Sequence, residues 1–184
     1  MKVLTKKFFE SKNTAKIARS LLGKFLVRKI KGRIVAYMIT ETEAYDGFGD
    51  KASHAHRGIT ERNKIMFNEA GHWYVYFTYG MHFMLNIVTG PVDYPAAVLI
   101  RSVKNAYPER GRRTALLNGP AKLTKFLKID KKLNGAPAIK RSGLWLEDRG
   151  IKIKPKQIKI ASRVGVDYAG PVWSKKKFRF FIDY

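Results

Sequence analysis

The chain has 184 residues, a length that suits one domain able to bury a substantial core. Lys and Arg total 37 against 14 Asp and Glu, and 45% of the residues are hydrophobic, so the composition excludes a disordered chain. There is no cysteine, which excludes disulfides, cysteine-based zinc sites and a thiol nucleophile.

The formal charge of +23 favours a polyanionic partner, and nucleic acid is the commonest one. A ribosome-associated protein, a membrane-surface protein or a basic surface without a specific partner would carry the same charge. The N-terminal residues lack the apolar segment of a secretory signal, and no apolar run is long enough to span a bilayer. We therefore expect an intracellular protein without a membrane partner.

The first 45 residues predict one helix and two strands. Asn13 can cap a helix over 12–23, and Gly23 can end it. Strands follow at about 24–30 and 34–44. Apolar residues on both faces of the second strand indicate a central strand that is covered on both sides.

A polar stretch over 46–70 is expected to form a surface loop. A β-hairpin follows, with strands over 72–78 and 82–89 and its tip at 79–81. A further strand is expected over 97–103.

The last part of the chain predicts one helix and an edge strand. Gly119-Pro120 can open a helix over 120–128, because Pro suits the first helical turn. Alternating lysines and Pro155 favour an edge strand over 151–156. Together the elements predict an α+β (mixed α/β) fold in one compact domain over 1–184. It should have a curved, largely antiparallel sheet, a protruding hairpin and a few helices.

Two carboxylates close the second strand. Glu41, Glu43 and Tyr45 share one face by the two-residue period of a strand. A buried carboxylate beside a second negative charge has a raised pKa, which suits a general base working near neutral pH. The alternative is a strand end that emerges into solvent, where Glu is common.

A second candidate site is His54-Ala55-His56, a spacing that can bind a metal ion together with Glu43, His72 or His82. Such a site would make the protein a metallohydrolase or a metal-dependent nuclease. The zinc deaminase pattern is excluded, because its paired cysteines are absent.

Aromatic residues form the third constellation: Tyr45, Trp73, Tyr74, Tyr76, Phe77, Tyr79 and Phe83. Stacking of a nucleobase on such side chains stabilises binding by ~1–3 kcal/mol per base, although a β-rich core uses aromatics as well. Tyr79 differs from the others because it stands beside Gly80 at the expected hairpin tip, where it could act as a wedge between stacked bases.

These segments resemble the alkyladenine (3-methyladenine) DNA glycosylases of the monofunctional, purine-excising type. The similarity extends over twelve short segments in the same order. They are Leu21-Leu22-Gly23, Glu41-Thr42-Glu43-Ala44-Tyr45, Ala52-Ser53-His54, Arg57-Gly58, Arg62-Asn63, Tyr74-Val75-Tyr76, Tyr79-Gly80-Met81, Asn86-Ile87, Leu99-Ile100-Arg101, Asn118-Gly119-Pro120-Ala121-Lys122-Leu123, Trp145-Leu146 and Arg163-Val164-Gly165-Val166.

The resemblance implies a base-excision repair enzyme that flips alkylated or deaminated purines out of duplex DNA. It would hydrolyse the N-glycosidic bond to give a free base and an abasic site, without strand cleavage. Glu43 would be the general base that activates water, and Arg101 and the backbone carbonyl of Val164 would help to hold that water. Glu41 would be a neighbour and not a second catalyst.

The resemblance also implies a base pocket and a wedge. Three residues would sandwich the flipped base: Tyr45, His54 and Tyr76. Asn86 would disfavour the exocyclic amine of normal guanine, and Tyr79 with Met81 would intercalate into the DNA. No cofactor or metal is implied, and the expected partner is double-stranded DNA containing damaged purines, bound by a monomer without an obligate protein partner.

The chain departs from the family pattern between Arg101 and Asn118, where it is shorter than many relatives and Ala106-Tyr107-Pro108-Glu109-Arg110 differs. This departure bears on lesion preference and on the DNA-contacting surface. Two alternatives remain beside the glycosylase: a nucleic-acid-binding module without catalysis, and a metal-dependent nuclease that uses His54 and His56.

Overall fold

The structure, a computed structural model, describes residues 1–106 and 116–183. Within them the strands are β1 (Lys2–Val3), β2 (Phe25–Ile30), β3 (Arg33–Asp46), β4 (Trp73–Thr78), β5 (His82–Val88), β6 (Ala96–Lys104), β7 (Leu116–Asn118), β8 (Leu144–Asp148), β9 (Ile158–Ala161) and β10 (Arg179–Ile182). The α-helices are α1 (Lys6–Phe9), α2 (Thr14–Ser20), α3 (Pro120–Phe126) and α4 (Gly170–Ser174). Short 3₁₀-helices lie at Lys64–Phe67, Lys131–Leu133, Lys140–Ser142, Pro155–Gln157 and Asp167–Ala169.

All of these strands belong to one sheet, in which the main path runs β1-β8-β2-β3-β6-β5-β4 and every pairing is antiparallel. This confirms the predicted α+β class and the largely antiparallel sheet. The hairpin is also confirmed, since β4 and β5 pair from Trp73↔Ile87 to Thr78↔His82.

The long strand β3 is the centre of the sheet. Along one side, its first half pairs with β2 and its second half pairs with β10, while β6 pairs with it along the other side. A register irregularity between Ile39 and Thr42 interrupts the pairing with β6 around Glu41, just before Glu43. Such bulges bend a strand and often re-aim the side chains beside an active site.

The predicted double coverage of β3 holds for its middle. Tyr37 and Ile39 belong to the main core cluster with α2, whereas Met38 packs in a separate cluster on the other face with Phe25 and Trp145. The beginning of the strand differs, because Ile34 is 62% exposed.

Two sequence predictions need correction. Residues 46–70 form more than a surface loop, since Asp50, Asn63 and Met66 in this segment are buried. The edge strand lies at β9 and not over 151–156, because Pro155 begins a 3₁₀-helix there, and a proline lacks the N–H that a ladder needs.

Helix boundaries shift by a few residues. The helix predicted over 12–23 is observed as Thr14–Ser20, and the side chain of Asn13 caps it by accepting from Lys16 N at 2.9 Å. The variable segment that includes Tyr107–Arg110 lies outside the described residues. In the described part of the chain, no helix is long and apolar enough to cross a membrane.

Candidate active site

Glu43 lies at the centre of the sheet with its side chain fully buried, at 0% exposure. Its strand neighbours are Arg179 on β10 and Leu99 on β6. The carboxylate therefore projects from the most constrained strand of the fold, where little movement of the backbone is available to it.

Three groups contact the Glu43 carboxylate. Oε1 accepts a hydrogen bond from the backbone N–H of Val164 at 2.8 Å and lies 3.3 Å from Nη1 of Arg101. Oε2 accepts from the hydroxyl of Tyr45 at 2.9 Å, as expected for two residues on the same face of a strand.

Burial raises the pKa of Glu43 above its ordinary value, and this effect outweighs the lowering by Arg101, Val164 and Tyr45. The nearby charge of Glu41 raises the pKa slightly further. A carboxylate with these properties can accept a proton near neutral pH and still carries free lone pairs for a water molecule.

Glu41 holds Arg101 in position. Its Oε1 lies 3.1 Å from Nε of Arg101 and 3.5 Å from Nη1 of Arg179, and its Oε2 accepts from the Ser102 hydroxyl at 2.8 Å. Arg101 therefore bridges Glu41 and Glu43. Glu41 thus lies beside Glu43, the expected general base, and contacts the same arginine.

A cleft of ≈ 980 Å³ opens beside the buried carboxylate. It brings together residues that are far apart in the sequence, and most of the predicted site residues line it: Tyr45, His54, Tyr76, Tyr79, Asn86, Arg101 and Val164. Neither Glu43 nor Met81 is among the lining residues: Glu43 lies behind three lining residues that contact its carboxylate, Tyr45, Arg101 and Val164, and Met81 is exposed near the hairpin tip.

The inner part of the cleft is aromatic. His54 and Tyr76 are arranged edge to face with ring centroids 4.6 Å apart, and Nδ1 of His54 lies 3.0 Å from the Tyr74 hydroxyl. Tyr74 and Tyr76 are tilted by 36° with centroids 5.2 Å apart. The side-chain amide of Asn86 donates to the carbonyl of Tyr74 at 3.0 Å, so Asn86 is fixed beside these rings.

His54 is neutral in this environment. His54 is exposed at the cleft, but partial desolvation by the surrounding protein, with a further contribution from the positive charge of Arg62, lowers the pKa of His54 to about 4. A neutral imidazole can stack against a flat heterocycle, and it does not repel a heterocycle that carries a positive charge.

The hairpin tip presents Tyr79 to solvent, with 80% of the residue exposed. The turn places both Tyr79 (φ +53°) and Gly80 (φ +65°) in the left-handed region, a geometry that matches the twist of the hairpin strands. Tyrosine rarely adopts this conformation, and its cost is of the kind found at functional sites.

Arg62 connects the hairpin to the preceding loop. It donates to the carbonyl of Phe77 at 3.2 Å, and its guanidinium lies 5.0 Å from the centre of the Tyr76 ring. The part of the hairpin next to its tip is thereby held beside the aromatic cleft.

Sequence reasoning missed a buried ion pair between Arg163 and Asp50, whose Nη2 and Oδ1 atoms are 2.8 Å apart. Arg163 also donates to the carbonyl of Ala44 at 2.8 Å and lies 4.8 Å from the centre of the Tyr45 ring. The pair fastens the segment that carries Val164 to the loop that carries His54. The only signal in the sequence was that Arg163 directly precedes Val164.

The His54-Ala55-His56 spacing does not form a ligand cluster. Nδ1 of His56 donates to the carbonyl of Phe48 at 2.8 Å, and Nδ1 of His54 faces Tyr74. Across residues 1–106 and 116–183, no group of three His, Cys, Asp or Glu side chains is arranged to hold a metal ion. The geometry thus gives the metal-dependent nuclease no support.

Enzymes that act on a base within a duplex need a pocket for the extruded base and a group that fills the gap left behind. This strongly basic protein combines an aromatic cleft with an exposed aromatic residue at a hairpin tip. That combination is typical of nucleic-acid enzymes of the base-extruding class.

The sequence model of the methylpurine-DNA glycosylase (MPG) family matches residues 7–184. A relative from Methanocella arvoryzae is 43% identical over 179 residues, covering 92% of this chain and 88% of the relative. A relative from Borreliella afzelii is 41% identical over 178 residues, covering 96% of this chain and 95% of the relative. A relative from Bdellovibrio bacteriovorus is 42% identical over 178 residues, covering 95% of this chain and 92% of the relative. All three are named, provisionally, 3-methyladenine DNA glycosylases.

The chain belongs to the methylpurine-DNA glycosylase family. It is accordingly an N-glycosyl hydrolase of base-excision repair that excises alkylated purines. This confirms the family resemblance seen in the sequence.

Proposed function

We propose that the protein binds double-stranded DNA as a monomer, extrudes an alkylated or deaminated purine into the aromatic cleft, and hydrolyses its glycosidic bond with Glu43 as general base. The products are the free base and an abasic site, and the strand stays intact. The observation that carries this proposal is the buried Glu43 carboxylate, whose pKa is raised and whose contacts Tyr45, Arg101 and Val164 line the cleft.

In the proposed reaction, Glu43 takes a proton from a water molecule while the water oxygen bonds to the anomeric carbon. The bond between that carbon and the purine nitrogen breaks, and its electron pair leaves with the base. Arg101 and the backbone carbonyl of Val164 help to orient the water. The support for these roles is that Arg101 and the Val164 backbone both contact or adjoin the Glu43 carboxylate.

The negative charge of Glu43 has a second effect. The sugar becomes oxocarbenium-like as the base departs, and a fixed carboxylate in a site shielded from water stabilises that positive charge. A purine alkylated at N3 or N7 is already cationic and leaves as a neutral base, so it needs little protonation by the protein, whereas a neutral deaminated purine needs a proton at its ring to leave.

The base is held by three residues: Tyr45, His54 and Tyr76. Their arrangement around the cleft supports stacking of a planar purine, and a neutral His54 suits a cationic alkylated base. Asn86, fixed by the Tyr74 carbonyl, would disfavour the exocyclic amine of guanine. Tyr79 and Met81 would intercalate into the duplex, which their exposure near the hairpin tip supports.

The test compares the wild type, Glu43→Gln and the control Glu69→Gln on a labelled duplex with one alkylated or deaminated purine, in excess EDTA. Glu69 is a suitable control because it is an exposed partner of Lys6. Removing a general base is expected to lower the single-turnover rate by about 10²–10⁴-fold. Alkali then converts each abasic site into a strand break.

Alkali-dependent cleavage by the wild type and by Glu69→Gln, but not by Glu43→Gln, would support the proposal. Cleavage without alkali would instead indicate a lyase or a nuclease. Tight binding without cleavage across a panel of lesions would indicate a binding module without catalysis.

A further inference from the structure

The rim of the cleft carries an aromatic residue to which the proposed chemistry assigns no role. Tyr168 lies in the 3₁₀-helix Asp167–Ala169, lines the cleft and is 70% exposed. Single exposed aromatics are common on protein surfaces and need no explanation by themselves. Tyr168 differs because its hydroxyl is hydrogen-bonded and its neighbours Val166 and Ala169 are buried.

The Tyr168 side chain is held at both ends. Its hydroxyl donates to the backbone carbonyl of Ala52 at 2.9 Å, two residues before His54. At its backbone end, Val166 and Ala169 pack with Ala52 in a small buried cluster. The ring therefore bridges the segment that follows Val164 and the loop that carries His54.

The ring also lies in the same cleft as other functional groups. Tyr79 at the hairpin tip lines the same cleft, and Val164, four residues before Tyr168, donates its backbone N–H to the Glu43 carboxylate. Tyr168 therefore shares the cleft with the hairpin tip and lies on the segment that contacts the proposed general base.

The expected position of an extruded nucleotide decides what Tyr168 would touch. The purine enters between the inner aromatic residues, and the anomeric carbon must reach Glu43. The sugar and its phosphates then remain at the mouth of the cleft, where Tyr168 lies. Because the hydroxyl is already bound to Ala52, the ring presents its apolar surface, which is complementary to the C–H groups of a deoxyribose.

We propose that Tyr168 is a DNA-contacting residue of the cleft rim, whose ring packs against the sugar of the extruded nucleotide and retains it in the cleft. The inference rests on the proposed function. In this proposal Tyr168 contacts the extruded nucleotide itself, whereas Tyr79 would occupy the space that this nucleotide has left in the duplex.

The test uses a duplex containing a tetrahydrofuran abasic analogue, which offers an extruded sugar without a base. Its dissociation constant, relative to that of the undamaged duplex, is measured for the wild type, Tyr168→Ala, Tyr168→Phe and Val172→Ala. Val172 is the matched control, because it follows on the same segment, is 73% exposed and does not line the cleft. Thermal unfolding shows that each variant is folded.

Tyr168→Ala is expected to weaken relative binding of the analogue roughly five- to tenfold, as for the loss of one aromatic contact to a nucleotide. Tyr168→Phe retains the ring and should stay within about twofold of the wild type, as should Val172→Ala. Tyr76→Ala, which removes a base contact, should leave binding of the base-free analogue nearly unchanged.

Equal binding by Tyr168→Ala and Val172→Ala would overturn the inference. Equal losses in Tyr168→Ala and Tyr168→Phe would overturn it too, because the hydroxyl bond to Ala52 and not the ring would then be responsible. Failure of the wild type to excise any purine would count against the proposed function instead, so excision assays on the same preparations separate the two failures.

Discussion

At the scale of single residues, Glu43 is under two opposing influences. Burial disfavours its charged form, whereas Arg101, the Val164 N–H and the Tyr45 hydroxyl favour it. The resulting raised pKa means that ionised Glu43, the form that the proposed mechanism needs, makes folding less favourable. Glu43 should therefore lower the stability of the protein at neutral pH.

The expected pH dependence has a definite sign. The pKa of Glu43 is higher in the folded state than its ordinary value of 4.5. At a pH between the ordinary pKa and the raised pKa, the folded state therefore binds more protons than the unfolded state. As pH rises through this window, the wild type should lose unfolding free energy relative to Glu43→Gln, while its excision rate rises. Denaturant unfolding of both proteins across the window measures the difference.

Glu147 provides a control of opposite sign. Burial raises its pKa, but hydrogen bonds from Trp145 and Arg149 and the nearby positive charges lower it more, and the net direction is downward. The stabilising contribution of Glu147 should therefore be present above its ordinary pKa and be lost as pH falls. If Glu43→Gln and Glu147→Gln showed the same pH trend relative to the wild type, the account of Glu43 would be wrong.

At the scale of elements, the β4–β5 hairpin combines a strained tip with a proposed function. Tyr79→Gly removes a side chain from a left-handed position, and we expect the free energy of unfolding to rise by about 0.5–1 kcal/mol. The same change removes the proposed wedge, so binding to lesion-containing DNA should weaken. Met81→Ala, also near the tip but without a positive φ, should not stabilise the fold.

Chemical denaturation and anisotropy titrations with one lesion duplex measure both effects on the same samples. A Tyr79→Gly protein that is less stable than the wild type would contradict the strain argument. A Tyr79→Gly protein that binds the lesion duplex as tightly as the wild type would contradict the proposed role of Tyr79 as a wedge.

The Asp50–Arg163 pair joins two loops that together build the cleft. Asp50→Asn leaves a buried guanidinium without its counter-ion, and we expect a loss of about 3 kcal/mol of unfolding free energy. Disruption of the exposed Lys64–Glu61 pair by Glu61→Gln should change stability by less than about 0.5 kcal/mol. Denaturant midpoints compare the two variants, and similar small losses in both would show that the buried pair is not a structural clamp.

Local patterns predicted the elements well, because strand alternation, Pro at a helix start and Gly at a turn act over a few residues. The hairpin strands, for example, are observed within one residue of their predicted limits. The edge strand was misplaced, since alternating lysines do not distinguish a strand from an exposed extended segment. The Asp50–Arg163 pair joins residues 113 positions apart, and no local pattern encodes such a contact.

At the scale of the whole molecule, the charge of +23 should govern encounter with DNA more than the chemical step. Phosphate contacts release counter-ions, so affinity for an undamaged duplex should fall by at least about tenfold between roughly 50 and 200 mM salt. The single-turnover excision rate at saturating protein should change much less. Anisotropy titrations and quench experiments over the same salt series test both, and an affinity independent of salt would show that the basic surface does not face the DNA.

The pairing of β10 with the second half of β3 also has a consequence for biosynthesis. Arg179 is the strand partner of Glu43, and Val164 supplies one of its hydrogen bonds, yet both are made by the ribosome more than 120 residues later. A nascent chain that already contains Glu43, the hairpin and the aromatic residues still lacks the strand β10 and the Val164 N–H that surround this carboxylate in the folded protein. Prematurely terminated translation products should therefore be inactive, so that incomplete copies do not cut bases from the genome.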